Sequence, residues 1–134
     1  MKEKLLIIGA SGHGKVVADI AIKMNKWQNI AFLDDDKSIK ISMGLEVVGK
    51  TADVFTYKDD YDIFVGIGNN AIREKIQRNL EELSISIPLL VHPNATIGGQ
   101  VNLGLGTVVM AGAVINSCTT IGRGCIINTG ATID

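Results

Sequence analysis

The chain has 134 residues, 46% of them hydrophobic, and sets 13 Lys and Arg against 14 Asp and Glu for a net charge of −1. So even a balance gives no broad positive field for nucleic acid and no polybasic patch for an anionic membrane, and the opening apolar run, residues 5–8, is too short for a signal-peptide core or a membrane span. Cys118 and Cys125 are the only cysteines, which excludes a disulfide framework and an all-cysteine zinc site and suits the reducing cytoplasm.

Residues 5–9, 30–33 and 63–67 are short aliphatic runs of the kind buried on both faces of a parallel sheet. Amphipathic stretches lie between and after them. A helix over 13–24 places Val16, Val17, Ile20 and Met24 on one face, and one over 71–83 does the same with Ile72, Ile76, Leu80 and Leu83. The order strand, helix, strand, connector, strand, helix specifies an α/β unit with right-handed crossovers, to which 85–91 adds a last strand ended by Pro93. Trp27, just past the first helix, reads as a packing anchor. Composition then changes: residues 1–88 hold every aromatic side chain, whereas 91–134 carry Arg123 and Asp134 as their only charged residues amid Gly, Thr, Ala and Asn. Two domains follow from that break, residues 1–88 and 89–134.

The second part repeats every six residues. Val91, Ile97, Leu103, Val109, Ile115, Ile121, Ile127 and Ile133 form an unbroken aliphatic series, and four residues after the first seven stand Ala95, Val101, Thr107, Ala113, Thr119, Cys125 and Ala131. Neither an α-helix nor a flat strand has that period. A hexapeptide β-helix does, with one side of a triangular coil per hexad, aliphatic side chains inside and Gly or Asn at the corners. Three hexads per coil make little more than two coils, a marginal stack by itself. Asp134 falls in mid-repeat, so the expectation is an incomplete, truncated β-helix. Val108, Met110 and Val114 face outward in this register and are apolar, which predicts a contact between copies that closes as a homotrimer.

The turn after the first strand reads Gly9-Ala10-Ser11-Gly12-His13-Gly14-Lys15 and opens directly into a helix, whose free N–H groups are suited to a phosphate. It departs from the dinucleotide fingerprint, with Ser11 at the third position, where glycine is required, and Gly12 as an extra glycine at the fourth. The acidic run Asp34-Asp35-Asp36 follows the second strand, where a ribose or base is bound in such folds. A second glycine turn, Gly66-Ile67-Gly68-Asn69-Asn70, leads into the helix containing Arg73. Parallel strands end on one edge, so Ser11, Gly12, His13 and Gly14 are expected to face Gly68, Asn69, Asn70 and Arg73 across a crevice suited to a diphosphate and a sugar. Asn69 or Asn70 also serves as the helix cap. His92, before Pro93, reads as structural, and the two cysteines as one corner and one inward position of the coil.

The loop over 9–14, Phe32-Leu33-Asp34-Asp35, Ile67-Gly68-Asn69-Asn70 with Arg73, and Ile127-Asn128-Thr129 within a hexad together resemble the sugar acetyltransferases of the left-handed β-helix superfamily. Within it they are most similar to the UDP-amino-sugar N-acetyltransferases of the bacillosamine pathway and the sialic-acid O-acetyltransferases. The resemblance spans the whole chain. It implies a small Rossmann-like nucleotide-sugar-binding domain followed by the first coils of a left-handed parallel β-helix, a homotrimer, and acetyl-CoA bound as cosubstrate between neighbouring β-helices, with no metal. It also implies roles. Gly12, His13 and Gly14 hold the diphosphate, Asp34 and Asp35 the uridine, and Asn69 a sugar or phosphate group, while Asn128 and Asp134 match polar positions near the acetyl-transfer centre. The family's general-base histidine is expected immediately after Asp134, so these 134 residues by themselves are expected to be inactive. The implied function is acetyl transfer from acetyl-CoA to a nucleotide-linked sugar in the cytoplasm. The alternative is a nucleotide-sugar-binding module whose β-helix only oligomerises it. An NAD-linked oxidoreductase is disfavoured by the altered glycine fingerprint and by a domain too short for a second mononucleotide half.

Overall fold

The computed structural model describes residues 2–134. In chain order the α/β unit consists of β1 (Lys4–Ile8), α1 (His13–Met24), β2 (Asn29–Leu33), β3 (Ile41–Ser42), β4 (Leu45–Gly49), a 3-10 turn (Thr51–Asp53), α2 (Val54–Tyr57), β5 (Tyr61–Val65) and α3 (Asn70–Glu82). The sheet order is β3-β4-β2-β1-β5, with β1 paired in parallel to β2 on one side and β5 on the other. Leu5, Leu6, Ile7 and Ile8 are all buried, which is why β1 reads as a continuous aliphatic run rather than an alternating one.

The expected alternation of strands and helices is present, with three corrections. First, the connector holds a hairpin. β3 pairs antiparallel to β4, and the turn residues Met43 and Gly44 both have positive φ, 53° and 72°, the backbone twist that a tight hairpin requires. Second, residues 85–91 do not form a strand of this sheet. The Ile63 amide donates to the Ser86 carbonyl at 2.9 Å, but the only strand residues are Leu90–Val91, and these pair with the coil that follows. Third, the buried stripe of α1 is centred on Val17, Ala18, Ile20 and Ala21, leaving Val16 44% exposed, and Ile72 at the start of α3 is 49% exposed. The two alanines let α1 lie close between layers, which draws the stripe toward them.

The rest of the chain is a stack of two-residue strands: β6 (Leu90–Val91), β7 (Thr96–Ile97), β8 (Asn102–Leu103), β9 (Val108–Val109), β10 (Val114–Ile115), β11 (Thr120–Ile121), β12 (Ile126–Ile127) and β13 (Thr132–Ile133). All pairings are parallel and join residues eighteen apart, Leu90 to Val108 and Val108 to Ile126, so each coil takes three hexads. Three flats result, β6-β9-β12, β7-β10-β13 and β8-β11. The inward cluster contains the predicted aliphatic series with Ala95, Val101, Ala113, Cys125 and Ala131. Thr107 is fully buried among them because its hydroxyl donates to the Gly122 carbonyl at 2.9 Å and accepts from the Cys125 amide at 3.1 Å. Corners recur with the same period, as positive φ at Gln100, Gly106, Gly112, Cys118, Gly124 and Gly130.

The flat β6-β9-β12 is turned toward the α/β unit. Leu90, Val108 and Met110 share a buried cluster with Leu5, Val17, Ile20, Trp27 and Phe32, and Ile126 packs against it. This overturns the reading of Val108 and Met110 as an exposed contact between copies: Met110 is only 7% exposed, and α1 of the same chain belongs to the cluster that covers it. Met110→Glu therefore buries an unpaired carboxylate. It should lower the unfolding free energy by about 3 kcal/mol or more in urea denaturation. A substitution that altered the state of association while leaving stability unchanged would contradict this packing.

Candidate functional site

The chain leaves β1 toward β2 on one side and returns to β5 on the other. The loops that follow β1 and β5 therefore part at a topological switch point, the place where open α/β sheets bind ligands. The sequence-predicted loops 9–14 and 66–70 both lie there. Gly9 and Gly14 set their shape. A Cβ on Gly14 would overlap the Gly9 carbonyl oxygen, so only glycine lets α1 start this close to β1. Gly14 is accordingly buried, its amide donating to the Ser11 carbonyl at 2.9 Å, and it supports the loop rather than a diphosphate. The amides of Ser11, Gly12 and His13 have no partner among the described residues. Together they present unpaired donors at the N-terminus of a helix of 12 residues, an arrangement suited to an anion.

The two aspartates expected at the nucleoside tie loops together. Asp34 accepts the Ala10 amide on Oδ2 and the Asp36 amide on Oδ1, each at 2.8 Å. Asp35 accepts the Thr51 amide on Oδ1 at 2.9 Å. The hairpin adds a further tie, since the buried Ser42 hydroxyl donates to the Ala10 carbonyl at 2.6 Å. Asp34 and Ser42 thus fix the 9–14 loop, and Asp35 has no hydrogen-bond partner on Oδ2 among the described residues. It borders a trough of about 800 Å³ shared with Thr51, Ile67, Ile72 and Lys75.

Across the crevice, Asn69 is the helix cap, its Oδ1 accepting the Ile72 amide at 3.0 Å, while Asn70 Oδ1 accepts from Arg73 at 2.7 Å. Both carboxamides are left with their NH2 groups free to donate. His13 packs beside Gly68, and its Nε2 is buried without a partner. Burial, reinforced by the positive charge of Arg73, lowers its pKa from 6.5, so the imidazole is neutral near pH 7. His92 Nδ1 accepts the Asn94 amide at 3.0 Å, the structural role expected of it.

Asn70 and Arg73 also line a groove of about 510 Å³ with Ile126 and Ile127, the two residues before Asn128. Asp134 is not brought there. It follows β13 on a different flat and accepts a hydrogen bond from the Asn116 side chain. Sequence reasoning missed Ser42, Thr51 and Gln77. None belongs to a motif, and each matters through a contact with a loop or corner distant in the chain.

A small, mainly parallel sheet with its switch-point loops, packed on a hexapeptide coil, defines the class: an α/β domain carried by a β-helix. Residues 4–80 match the model of the PglD N-terminal domain, and the chain belongs to that family. It is 32% identical over 113 residues to the UDP-N-acetylbacillosamine N-acetyltransferase of Bacillus subtilis (strain 168), an alignment covering 81% of this chain and 52% of that protein. Among solved structures it is similar to the acetyltransferase domain of PglB from Neisseria gonorrhoeae FA1090 in complex with acetyl coenzyme A. There the identity is 40% and the TM-score 0.96, over 100% of this chain and 65% of that one. It is also similar to PerB from Caulobacter crescentus in complex with CoA and GDP-perosamine, at 34% identity and TM-score 0.89, over 98% of this chain and 62% of that one. The chain thus spans about half the length of the curated relative and under two thirds of the solved ones.

The lowered pKa of His13 has a consequence for stability. In the unfolded chain the imidazole takes up its proton near the ordinary value, before the native state does. Native stability therefore declines as pH falls through about 6.5 toward the depressed value and is unaffected above it. His13→Gln stays neutral throughout. Between about pH 7.5 and about pH 5.5 the wild type should lose more melting temperature than His13→Gln; parallel curves would show that the folded environment does not oppose the charge.

Proposed function

We propose that this chain is the nucleotide-sugar-binding part, with the first coils, of an acetyl-CoA-dependent N-acetyltransferase acting on a UDP-linked amino sugar. The observation that carries the reading is the set of unpartnered amides at Ser11, Gly12 and His13 at the switch point where the loop after β5 also ends, with the NH2 groups of Asn69 and Asn70 on that second loop free to donate. Amides at a helix start take the diphosphate, the carboxamides donate to the sugar or its phosphate, and the base occupies the trough beside Asp35. The relatives support the donor and acceptor classes, since the Bacillus subtilis protein is named as an N-acetyltransferase, the PglB structure is an acetyltransferase domain with acetyl coenzyme A, and the PerB structure holds CoA with GDP-perosamine.

Acetyl transfer from a thioester requires a neutral amine, an acceptor for its proton and a donor to the developing oxyanion. Asn128, exposed at the coil edge, is our candidate for a polar contact at that centre. His13 and His92 are both placed as loop supports, so the proton acceptor is sought in the part of the fold that the relatives possess and these residues do not span. Acetyl-CoA and nucleotide sugars are metabolites of the cytoplasm, the compartment this reading assigns.

A homotrimer accompanies the proposal on different grounds from those the sequence offered. α1 covers one flat of the prism, leaving β7-β10-β13 and β8-β11 as two unlike faces. A contact between two unlike faces is heterologous and closes as a ring when its rotation allows, and the threefold closure proposed is the one the family resemblance implies. The unit of binding itself is tested by thermal shift and calorimetry with UDP, GDP and NAD. UDP at 100 times its Kd should stabilise the native state by about 2.7 kcal/mol, and NAD should leave it unchanged. Binding of NAD with no response to either nucleoside diphosphate would overturn the proposal.

A further inference from the structure

The sequence assigned Arg73 to the ligand, but its guanidinium is engaged elsewhere. Nε donates to the Gly124 carbonyl at 3.0 Å, Nη1 to the carbonyls of Ile67 at 3.2 Å and Gly68 at 3.0 Å, and Nη2 to Asn70 Oδ1 at 2.7 Å. One side chain therefore joins the loop after β5 to a corner of the coil and also holds the Asn70 carboxamide. One helical turn further along α3, Gln77 is 4% exposed and donates from Nε2 to the Leu105 carbonyl at 3.0 Å. Gly106 and Gly124 stack at that same corner, eighteen residues apart, and a Cβ on Gly106 would overlap the Gln77 carboxamide. Helix α3 is thus keyed to two stacked layers of one corner, by Gln77 at Leu105 and by Arg73 at Gly124.

We infer that Arg73 is a positioning residue of the nucleotide-sugar site, fixing the 67–70 loop to the coil layer that leads into Ile127 and Asn128 and turning Asn70 so that its NH2 group meets the sugar. This rests on the function proposed above. Planarity is what suits an arginine to this position, because its fork satisfies four acceptors held in one arrangement, whereas a lysine offers a single point charge. With Oδ1 of Asn70 tied to Nη2, only the donor end of the amide remains for a ligand. Asn69 is oriented the same way by its cap, so the crevice presents two fixed donors to the oxygen-rich sugar. The diphosphate, by contrast, is held from the opposite loop by Ser11, Gly12 and His13.

That separation provides the test. The wild-type chain, Arg73→Ala, Arg73→Lys and Gln77→Ala are titrated with UDP and with a UDP-amino sugar, and amide hydrogen exchange is followed without ligand. Arg73→Ala should weaken UDP-amino-sugar binding roughly tenfold while changing UDP binding less than about twofold. Arg73→Lys should fail to rescue the sugar increment. Exchange should quicken at residues 67–70 and 124–126 in both Arg73 variants, whereas Gln77→Ala should keep the wild-type ratio between the two ligands. Equal losses for both ligands, rescue by lysine, or unchanged exchange would overturn the inference. If the wild type bound neither ligand, the proposed function would fall, and the exchange readout alone would decide whether Arg73 joins loop and coil.

Discussion

One apolar contact sets everything else in this molecule: the packing of α1 between the sheet and the first flat of the coil. Val17, Ile20 and Ala21 lie in one cluster with Phe32 of the sheet and with Leu90, Val108 and Met110 of the coil. A coil of two turns is a marginal structure, because each layer has only its neighbours to support it. Here two layers lean on a helix that is itself anchored to a fully buried strand. Because α1 begins at the switch point and packs on β6 of the coil, the same contact that stabilises the stack also fixes the switch-point loops relative to it. Position of the site and stability of the coil are therefore one packing problem.

Backbone approach is the second constraint, and it explains where glycine is indispensable. At Gly14 the helix start meets the Gly9 carbonyl, and at Gly106 the corner meets Gln77, so neither position accommodates a Cβ. Another of the three stacked corners, Gln100 with Cys118, has the same positive φ without glycine. Among the described residues no helix side chain hydrogen-bonds into that corner as Gln77 does beside Gly106, so the left-handed conformation is tolerated there by ordinary side chains at a modest cost in strain. Cysteine at position 118 is thus a corner residue and cysteine at 125 an inward one.

How much of this was legible in the sequence follows from the range of the signals. The hexad series and the aliphatic runs are local and periodic, and they gave the coil, its three-hexad turn and the strands β1, β2 and β5. The hairpin was illegible because its turn, Met43-Gly44, lacks the Asn or Asp that usually marks two successive residues of positive φ. Outward apolar residues were seen, yet a one-dimensional pattern cannot distinguish a partner copy from a helix of the same chain, so Val108 and Met110 were misassigned. In the site, the glycine loops and the Asn69 cap were legible as motifs. The ties of Asp34 and Arg73 to loops and coil were not legible, since a charged side chain in a glycine-rich loop region looks the same in sequence whether it holds a ligand or the loop.

That distinction bears on how such a site discriminates. A diphosphate held by the amides of Ser11, Gly12 and His13 is recognised by backbone alone, and backbone amides are blind to the nucleobase at the far end of the ligand. Relatives named for a UDP-linked and a GDP-linked sugar are thus compatible with one phosphate loop. Under the proposed function, choice of base falls to the trough beside α3, where Asp35 retains a free carboxylate oxygen and Ile72 offers an exposed apolar side chain. Choice of sugar falls to the carboxamides that Arg73 and the α3 cap hold in place. The buried polar ties at Asp34, Ser42 and Arg73 then act on affinity only through the rigidity of the loops they join, and a loop whose donors are already oriented loses less entropy when the ligand arrives.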